Sequence, residues 1–382
     1  LDCYTLALQQ SETLAIKQET IKEAEGRFLQ ALSTALPHAA FVSKHTRQDG
    51  ADDQATEHKF TLQQPLFTGF KEFAAISGSK AEKRQRQQER IRAEQLLFVD
   101  VADAFYLLLS AEENLAALEG SRQALLDRTG ELKKREQLGR SRMSELASTE
   151  ARLNRLEADI EFSKNLQDTT KALLEFLTGK KITRIHDVSP ELTFATSLDG
   201  YLAKVDLRPD LQAAQENLTI SKKLVTVARS GFWPAVGLSA NSYTKPIGSN
   251  KDVDWDALVT VTMPIFQGGQ NLGNLKVAQS QERQTALTVS RLKRSALLEI
   301  QQAYSDYDTS LRRKAALTKA LAAAERNYAL QKEDYARNLV NNLDVLTALE
   351  DLQSSRRALI TTTNETRRSY WRLKLSTGDI TP

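Results

Sequence analysis

Three of the four histidines, His38, His45 and His58, cluster in one stretch of the sequence and could suggest a metal site. A closed metal site needs ligands in tight pairs, a few positions apart on one element, and these spacings do not supply them. No metal is expected. The single cysteine, Cys3, excludes an intrachain disulfide framework. It lies just ahead of TLALQQSETLAI (5–16), already inside the first helix's pattern, so no linker remains for a lipid-modified N-terminus. No nucleophile–base pair, phosphate-cradling loop or catalytic carboxylate pair is present in the sequence. The expectation is a protein that is not an enzyme and carries no cofactor. Charge is abundant but balanced, with 52 Lys and Arg against 49 Asp and Glu, a net of +3. So small a net charge argues against a nucleic-acid binder held by a positive field.

The elements that would position such side chains are mostly helices. Gly (16) and Pro (8) are scarce for 382 residues and charged residues reach 26%, a composition of long helices. No run of about 18 uncharged apolar residues exists, so no transmembrane helix is expected. The chain opens at Leu1 without a basic or apolar leader pattern, and the expectation is a signal peptide that was removed or never present.

An internal repeat organises the rest. SETLAIKQETIKEAEGRFLQALSTALP (11–37) aligns without a gap to RPDLQAAQENLTISKKLVTVARSGFWP (208–234) at an offset of 197. The offset becomes 199 where QQPLFTGFKE (63–72) meets TMPIFQGGQN (262–271). It stays at 199 for GRSRMSEL (139–146) against NLVNNLDV (338–345), and for FLTG (176–179) against LSTG (375–378). Two structural repeats are read from this, 1–199 and 200–382, forming one intertwined unit. Each has a helix, a strand hairpin (37–68 or 234–267), a long helix and a short one.

The period changes within each repeat. Leu97, Val101, Ala104, Leu108, Ala111, Leu115 and Leu118 recur at steps of four and three, a heptad seam that favours left-handed supercoiling. The stretch 71–138 is expected to be one helix, roughly 100 Å long at 1.5 Å per residue, with a shorter helix returning over 144–177. The pairs 270–337 and 343–376 repeat it. Between the helices the period falls to two. Trp255, Ala257, Val259, Val261 and Met263 alternate with mostly polar neighbours, as do Phe60 and Leu62, and Val236, Leu238 and Ala240. HAAFVSKHT (38–46) is the least regular of the four strands. Strands of about 9–11 residues with one apolar face have the length and pattern to cross a bilayer in a barrel. Four cannot close a barrel, so a membrane location requires oligomerisation. GSKAEKRQRQQERIRAE (78–94) is polar nearly all round, as expected of a helix wet on two sides and packed on its flanks.

RPDL (208–211), FWPAVGLSA (232–240), MPIFQGG (263–269), AY (303–304) and YARNLVNNLDVLTALEDL (335–352) carry a resemblance to the TolC-like outer-membrane efflux protein family. The resemblance extends over essentially the whole chain. It implies a mainly α fold with a small β part, in which long coiled-coil helices form an α-barrel. Four strands per chain would contribute to a twelve-stranded transmembrane β-barrel in a homotrimer. It also implies a passive exit duct in the bacterial outer membrane, with most of the chain in the periplasm and in contact with outer-membrane lipid. A periplasmic adaptor and an inner-membrane transporter would be its partners, serving efflux or type I secretion. Cargo would be chosen by those partners, and 180–206 would form a belt outside the tunnel.

By the same resemblance, the turns 139–150 and 338–350 gate the tunnel. Asp344 matches an acidic constriction residue, Glu145 is its first-repeat counterpart, and Asn341 and Thr347 stand beside it. Arg140 and Arg142 are the cations available to link neighbouring coils, and Gly139, Ser141, Leu339 and Val340 are the expected adaptor-contact surface. Thr347 replaces a frequent second acid, which weakens the case for a two-tier constriction. Asn338 stands where the family usually has Gly, and Asn can adopt the left-handed conformation such a turn needs. Phe232, Trp233, Trp255 and Phe266 lie near strand ends and are expected at the membrane interfaces. Trp371 is expected to pack between helices. A soluble structural coiled coil or a periplasmic adaptor without a pore is the alternative, and it leaves the four strands unexplained.

Overall fold

A computed structural model describes residues 2–47, 55–187, 194, 196–246 and 252–380. The middles of both predicted hairpin loops, and 188–193 with 195 of the predicted belt, lie outside the described residues. The fold is mainly α with one four-stranded sheet, as expected from the sequence. In chain order the elements are α1 (Asp2–Gln10), α2 (Glu12–Ser33), β1 (His38–Thr46), β2 (Ala55–Thr68), α3 (Lys71–Gln137) and α4 (Met143–Thr178). There follow α5 (Leu198–Leu202), a 3-10 turn (Val205–Leu207), α6 (Pro209–Ser230), β3 (Ala235–Lys245), β4 (Trp255–Thr262), α7 (Gln270–Ala336) and α8 (Asn342–Thr377).

Helix lengths repeat with the sequence. The helices α2 and α6 have 22 residues each, α3 and α7 have 67, and α4 and α8 have 36. The expectation that 5–16 lies within one helix needs correction, because the chain breaks at Ser11. The Ser11 hydroxyl accepts from Leu14 N–H at 3.3 Å, an N-cap contact that starts α2 afresh. The structure divides into two compact units, each built from both halves of the chain.

One unit holds residues 15–92 and 209–294. Its sheet is antiparallel in the order β1-β2-β3-β4. The register places Phe41 opposite Phe60, Phe60 opposite Ser242, and Leu62 opposite Ala240, which pairs with Ala257. Opposed residues of an antiparallel ladder share a face, so these line up with Leu238, Val259 and Trp255 on one largely apolar face. The other face is polar and hydrogen-bonded. Thr61 Oγ1 donates to Asn241 Oδ1 at 3.0 Å, and Asn241 Nδ2 donates to Asp256 Oδ1 at 2.9 Å. Tyr243 OH donates to Asp256 Oδ2 at 2.6 Å. The network ties β2, β3 and β4 in register.

Below the strands, ion pairs bind the polar stretch of α3 on both flanks. Lys17, Arg27 and Glu25 of α2 meet Glu89, Glu82 and Lys83. On the opposite side Glu216 and Asp210 of α6 meet Arg84 and Arg92. Ala81, fully buried, supplies the apolar contact between those charges. The helix α7 joins α6 through Ser221 and Thr285, whose hydroxyls lie 3.1 Å apart. A helix in such a row must be polar on its two free faces and adhesive on its two flanks, which is what the composition of 78–94 supplies.

PLFTGF marks a forced turn from β2 into α3. Gly69 has φ +66°, and a Cβ there would lie 2.9 Å from Trp233 Cβ and 3.0 Å from Ser230 backbone atoms. Phe70 follows with φ +66°, unusual for a bulky residue. Its ring is held edge-on by Phe67 and Trp233, with centroids 5.3 and 6.4 Å away. At the repeat position the corresponding pair is Gly268 and Gly269, both with positive φ and with open space around the missing Cβ atoms.

The second unit holds residues 1–14, 93–208 and 295–382. The heptad seam of α3 is its core. Val101, Ala104, Leu108, Ala111 and Leu118 are all buried. Phe98 packs edge-on to Tyr4 and to Trp371, which fulfils the packing expectation for that tryptophan. Arg208 of RPDL is 2% exposed, where its Nη1 donates to Glu299 Oε2 at 2.8 Å and to the Ser376 carbonyl at 3.1 Å. Burial alone would raise the Asp379 carboxyl, but hydrogen bonds and charge from Lys204 and Lys374 outweigh it and hold that group below the usual carboxylate range.

Gly69→Ala should lower stability by roughly 2–4 kcal/mol, combining left-handed backbone strain with steric overlap. Gly268→Ala should cost only the backbone strain, about 1 kcal/mol. Thermal unfolding of the two variants side by side measures the difference.

Candidate functional site

The turns closing the two long helical hairpins share one backbone and differ in their side chains. Each long helix ends in a Schellman motif. In the first, Arg140 N–H donates to the Arg135 carbonyl and Gly139 N–H to Glu136, both at 2.8 Å. In the second, Leu339 N–H donates to Asp334 at 2.9 Å and Asn338 N–H to Tyr335 at 3.0 Å. Gly139 has φ +67° and Asn338 φ +60°, so Asn adopts the left-handed conformation in place of Gly as expected.

The short helices start differently. Asn341 caps α8 in a reciprocal box, its Oδ1 accepting from Asp344 N–H while Asp344 Oδ2 accepts from Asn341 N–H, both at 3.1 Å. The carboxylate of Asp344 therefore has a capping task in addition to any role in a lumen. In the first turn the cap position holds Arg142, whose side chain cannot accept. Glu145, three residues on, instead accepts from Ser141 Oγ at 2.6 Å. Both acids lie in the first turn of a helix, where the helix dipole favours negative charge.

Beneath the turns lies a polar junction that joins all four helices. Asn342 is 1% exposed. Its Oδ1 accepts from Arg128 Nε of α3 at 2.9 Å, and its Nδ2 donates to Thr149 Oγ1 at 3.0 Å and to the Glu145 carbonyl at 3.3 Å, both on α4. The Arg128 guanidinium stacks 3.7 Å over the Tyr335 ring of α7, with Arg135 at 4.8 Å from the same centroid. Leu132, Leu146, Tyr335 and Val345 form the apolar cluster around it. Farther along, Arg152 Nη1 lies 2.6 Å from Glu350 Oε1, linking α4 to α8. Burial pushes the nearby Tyr328 hydroxyl up. The arrangement holds the two hairpins together through one buried amide, a cation–π contact and an ion pair.

The residues expected at this site from the sequence fall into three groups. Asp344, Glu145 and Asn341 sit at the helix starts as described. Arg140 and Arg142 are exposed and make no ion pair among the described residues. Thr347 is exposed and returns its hydroxyl to the Leu343 carbonyl at 2.9 Å. Of the expected contact surface, Gly139 and Leu339 are exposed and Ser141 is half-buried, while Val340 packs against the apolar cluster. Leu138, Met143 and Leu343 add exposed apolar groups beside them.

The expected interface aromatics belong to the sheet unit. Trp233 packs with Phe67 and Phe70, Trp255 begins β4 on the apolar face, and Phe232 and Phe266 are exposed. Among the histidines, His45 Nδ1 is 2.8 Å from Thr56 Oγ1, His58 stacks on Phe41, and His38 lies opposite Gln63. Sequence reasoning missed Asn342 and Arg128. One signal was available: Asn342, Val345, Leu346 and Leu349 share a helical face, and all four are buried, so a polar residue stands at a core position. Asn342→Ala should lower stability by about 1–3 kcal/mol, the cost of orphaning buried polar partners. Combined with Arg128→Ala it should be less than additive, as read by denaturant unfolding of the single and double variants.

The model of the family described as outer membrane efflux protein matches residues 205–379. The chain is 28% identical to outer membrane protein OprJ of Pseudomonas aeruginosa over 149 residues, 38% of this chain and 31% of that protein. It is 24% identical to the alkaline protease secretion protein AprF of the same organism over 388 residues, 93% of this chain and 79% of that protein. The chain thus spans about a third of the first relative and about four-fifths of the second. Its fold is that of the outer membrane protein VceC of Vibrio cholerae, with TM-score 0.86 at 20% identity, covering 99% of this chain and 95% of that one.

Proposed function

We propose that the chain is a member of the outer membrane efflux protein family, whose model matches residues 205–379, and that three copies close into a passive exit duct. The protein resides in the bacterial outer membrane, in a family of transport channels. The observation that carries the reading is the sheet, with one apolar face, one polar hydrogen-bonded face and two open edges at β1 and β4. In lipid, open edges leave backbone groups unpaired at several kcal/mol each. Pairing β4 of one copy with β1 of the next removes them, and a head-to-tail contact of this kind closes into a ring when the rotation allows. Three copies supply twelve strands, with the apolar face toward lipid and the Thr61–Asn241–Asp256–Tyr243 face toward water. The exposed aromatics Phe232, Trp233, Trp255 and Phe266 then belong at the bilayer interfaces.

In this reading the subunit performs no chemistry. It conducts what an inner-membrane transporter delivers through a periplasmic adaptor, and cargo is chosen by those partners. The likeness to AprF, an alkaline protease secretion protein, supports secretion or efflux over a structural rod. The helix turns are the gate. Asp344 and Glu145 ring the lumen, Arg140 and Arg142 face the neighbouring copy's coils, and Gly139, Ser141, Leu339 and Val340 lie on the adaptor side. Opening separates the α7–α8 hairpin from α3–α4 and breaks the Arg128–Asn342 contact. A soluble coiled coil or an adaptor without a pore has no use for a sheet that is apolar on one side.

Single-particle imaging of the detergent-extracted protein should give a threefold particle that conducts ions in planar bilayers. A water-soluble monomer without conductance would defeat the proposal. Asp344→Asn removes the charge but keeps an oxygen for the cap, so folding should be little changed while cation preference in bilayers falls. Unaltered selectivity in an assembled Asp344→Asn particle would take this carboxylate off the lumen.

A further inference from the structure

The internal repeat turns a contact inside the chain into a template for the contact between copies. Within one unit, α3 of the first repeat packs on α6 of the second. Arg84 grips Glu216 with both arms, Nε to Oε1 at 2.7 Å and Nη2 to Oε2 at 2.8 Å. A turn and a half away, a Cβ on Gly78 would lie 3.6 Å from Lys223 Cβ, so a small residue faces a long one. If a ring closes as proposed above, the next junction is α7 of one copy against α2 of the following copy, and it is the repeat-related equivalent of α3 on α6.

Applying the offsets of 199 for α3 to α7 and 197 for α6 to α2 maps Arg84 to Arg283 and Glu216 to Glu19. Both residue types are kept. Gly78 maps to Val277 and Lys223 to Gly26. Here the small and large members have changed sides, so the complementarity survives with its sense reversed. The second ion pair is not repeated, since Asp210 has Thr13 at its repeat position.

All four mapped residues are exposed in the single chain. Arg283 makes no ion pair among the described residues, and Glu19 pairs with Lys22 of its own helix at 2.7 Å. Val277 is 58% exposed and nothing lies within 4 Å of a Cβ on Gly26. Helical spacing puts Arg283, Glu19 and Gly26 on the open flanks, with Val277 at the margin of its flank. The side of α7 that meets α6 carries Ala278 and Thr285. At 100° per residue, Lys276, Arg283, Arg291 and Arg294 fall on the opposite side. The side of α2 that meets α3 carries Leu14, Ile21 and Ala24, and Glu19 and Glu23 fall opposite. A basic flank and an acidic flank are thus left open on the two end helices of the row.

We infer that these flanks form the helical interface between copies of this chain, with Arg283 of one copy bound to Glu19 of the next and Val277 seated against Gly26. The inference rests on the closed-ring reading of the sheet. It specifies which surfaces meet, and it makes assembly sensitive to salt, because exposed ion pairs are screened.

The test is a cysteine pair, Gly26→Cys with Val277→Cys, in a Cys3→Ser background. The internal counterpart has the Cβ separation of a disulfide, for which about 3.5–4.5 Å is usual. Oxidation of the purified outer-membrane particle should give covalent dimers and trimers on a non-reducing gel, and each single-cysteine variant should give neither. Because either substitution could disturb folding, the charge swap provides a second readout. Glu19→Arg or Arg283→Glu alone should lower the trimer-to-monomer ratio roughly two- to fivefold per contact, the range of exposed ion pairs, and the double swap should restore it. A particle that is trimeric by native mass but neither cross-links nor responds to the swap would overturn this interface and leave the duct reading standing. A monomer by mass in the unsubstituted protein would overturn both.

Discussion

A strand surrounded by lipid has no water to satisfy its backbone, and every N–H and C=O must find a partner in protein. That constraint governs this chain more than any side-chain contact. Four strands with two free edges cannot be an endpoint in lipid, so in the proposed duct copies meet at β1 and β4. Because each strand runs into or out of a helix, the sheet also orders the helices that accompany it. The sequence β1-β2-β3-β4 is matched by contacts from α2 to α3, α3 to α6 and α6 to α7. A helix in such a row needs adhesion along two narrow flanks and wetting on the other two sides. Arg84, Glu82 and Glu89 around a buried Ala81 meet that requirement with charge where an ordinary core would use leucine.

The other unit solves a different problem. Its helices bury a heptad seam, with Leu108, Leu118, Leu125 and Leu132 all inside, and their closing turns carry the polar groups. Duplication gave both turns the same Schellman backbone, and divergence then separated their chemistry. Asn341 and Asp344 form a reciprocal box on one side; Ser141 and Glu145 make a single contact on the other. Asn342 has no polar counterpart, since Met143 stands at its repeat position. A buried amide that satisfies Arg128, Thr149 and a backbone carbonyl at once is costly to orphan. The junction therefore concentrates the polar links between α3, α4 and α8 in one buried side chain.

Much of this architecture was legible because its signals are periodic. The long and short helices fall within a residue or two of 71–138, 144–177, 270–337 and 343–376, since the seam, the absence of proline and the repeat all mark the same limits. The alternation in WDALVTVT was equally plain, and Asn338 could be assigned its positive φ from the Gly at the repeat position. What escaped notice depends on single contacts. The break at Ser11 turns on one hydroxyl. The partial burial of Val340 depends on Leu132 and Leu146, which are distant from it in sequence. Asn342 resembles any helix-start asparagine until the helices are packed, and only its place on an apolar face distinguishes it.

Duplication also explains how one set of contacts can serve two levels of organisation. An ancestral repeat that formed a ring of identical units would use a single kind of flank-to-flank junction throughout. Fusing two repeats makes every second junction internal and leaves the others between chains. Internal junctions are then held by the chain itself at high effective concentration, and here the internal one carries a second ion pair, Arg92 with Asp210, that Thr13 does not repeat on the open flank. Junctions between chains must still recognise their partner, which favours keeping charge complementarity there. Arg84 with Glu216, and Arg283 with Glu19, are the same pair of residue types at the same places in the two repeats, one pair already made inside the chain and the other left on its two open flanks.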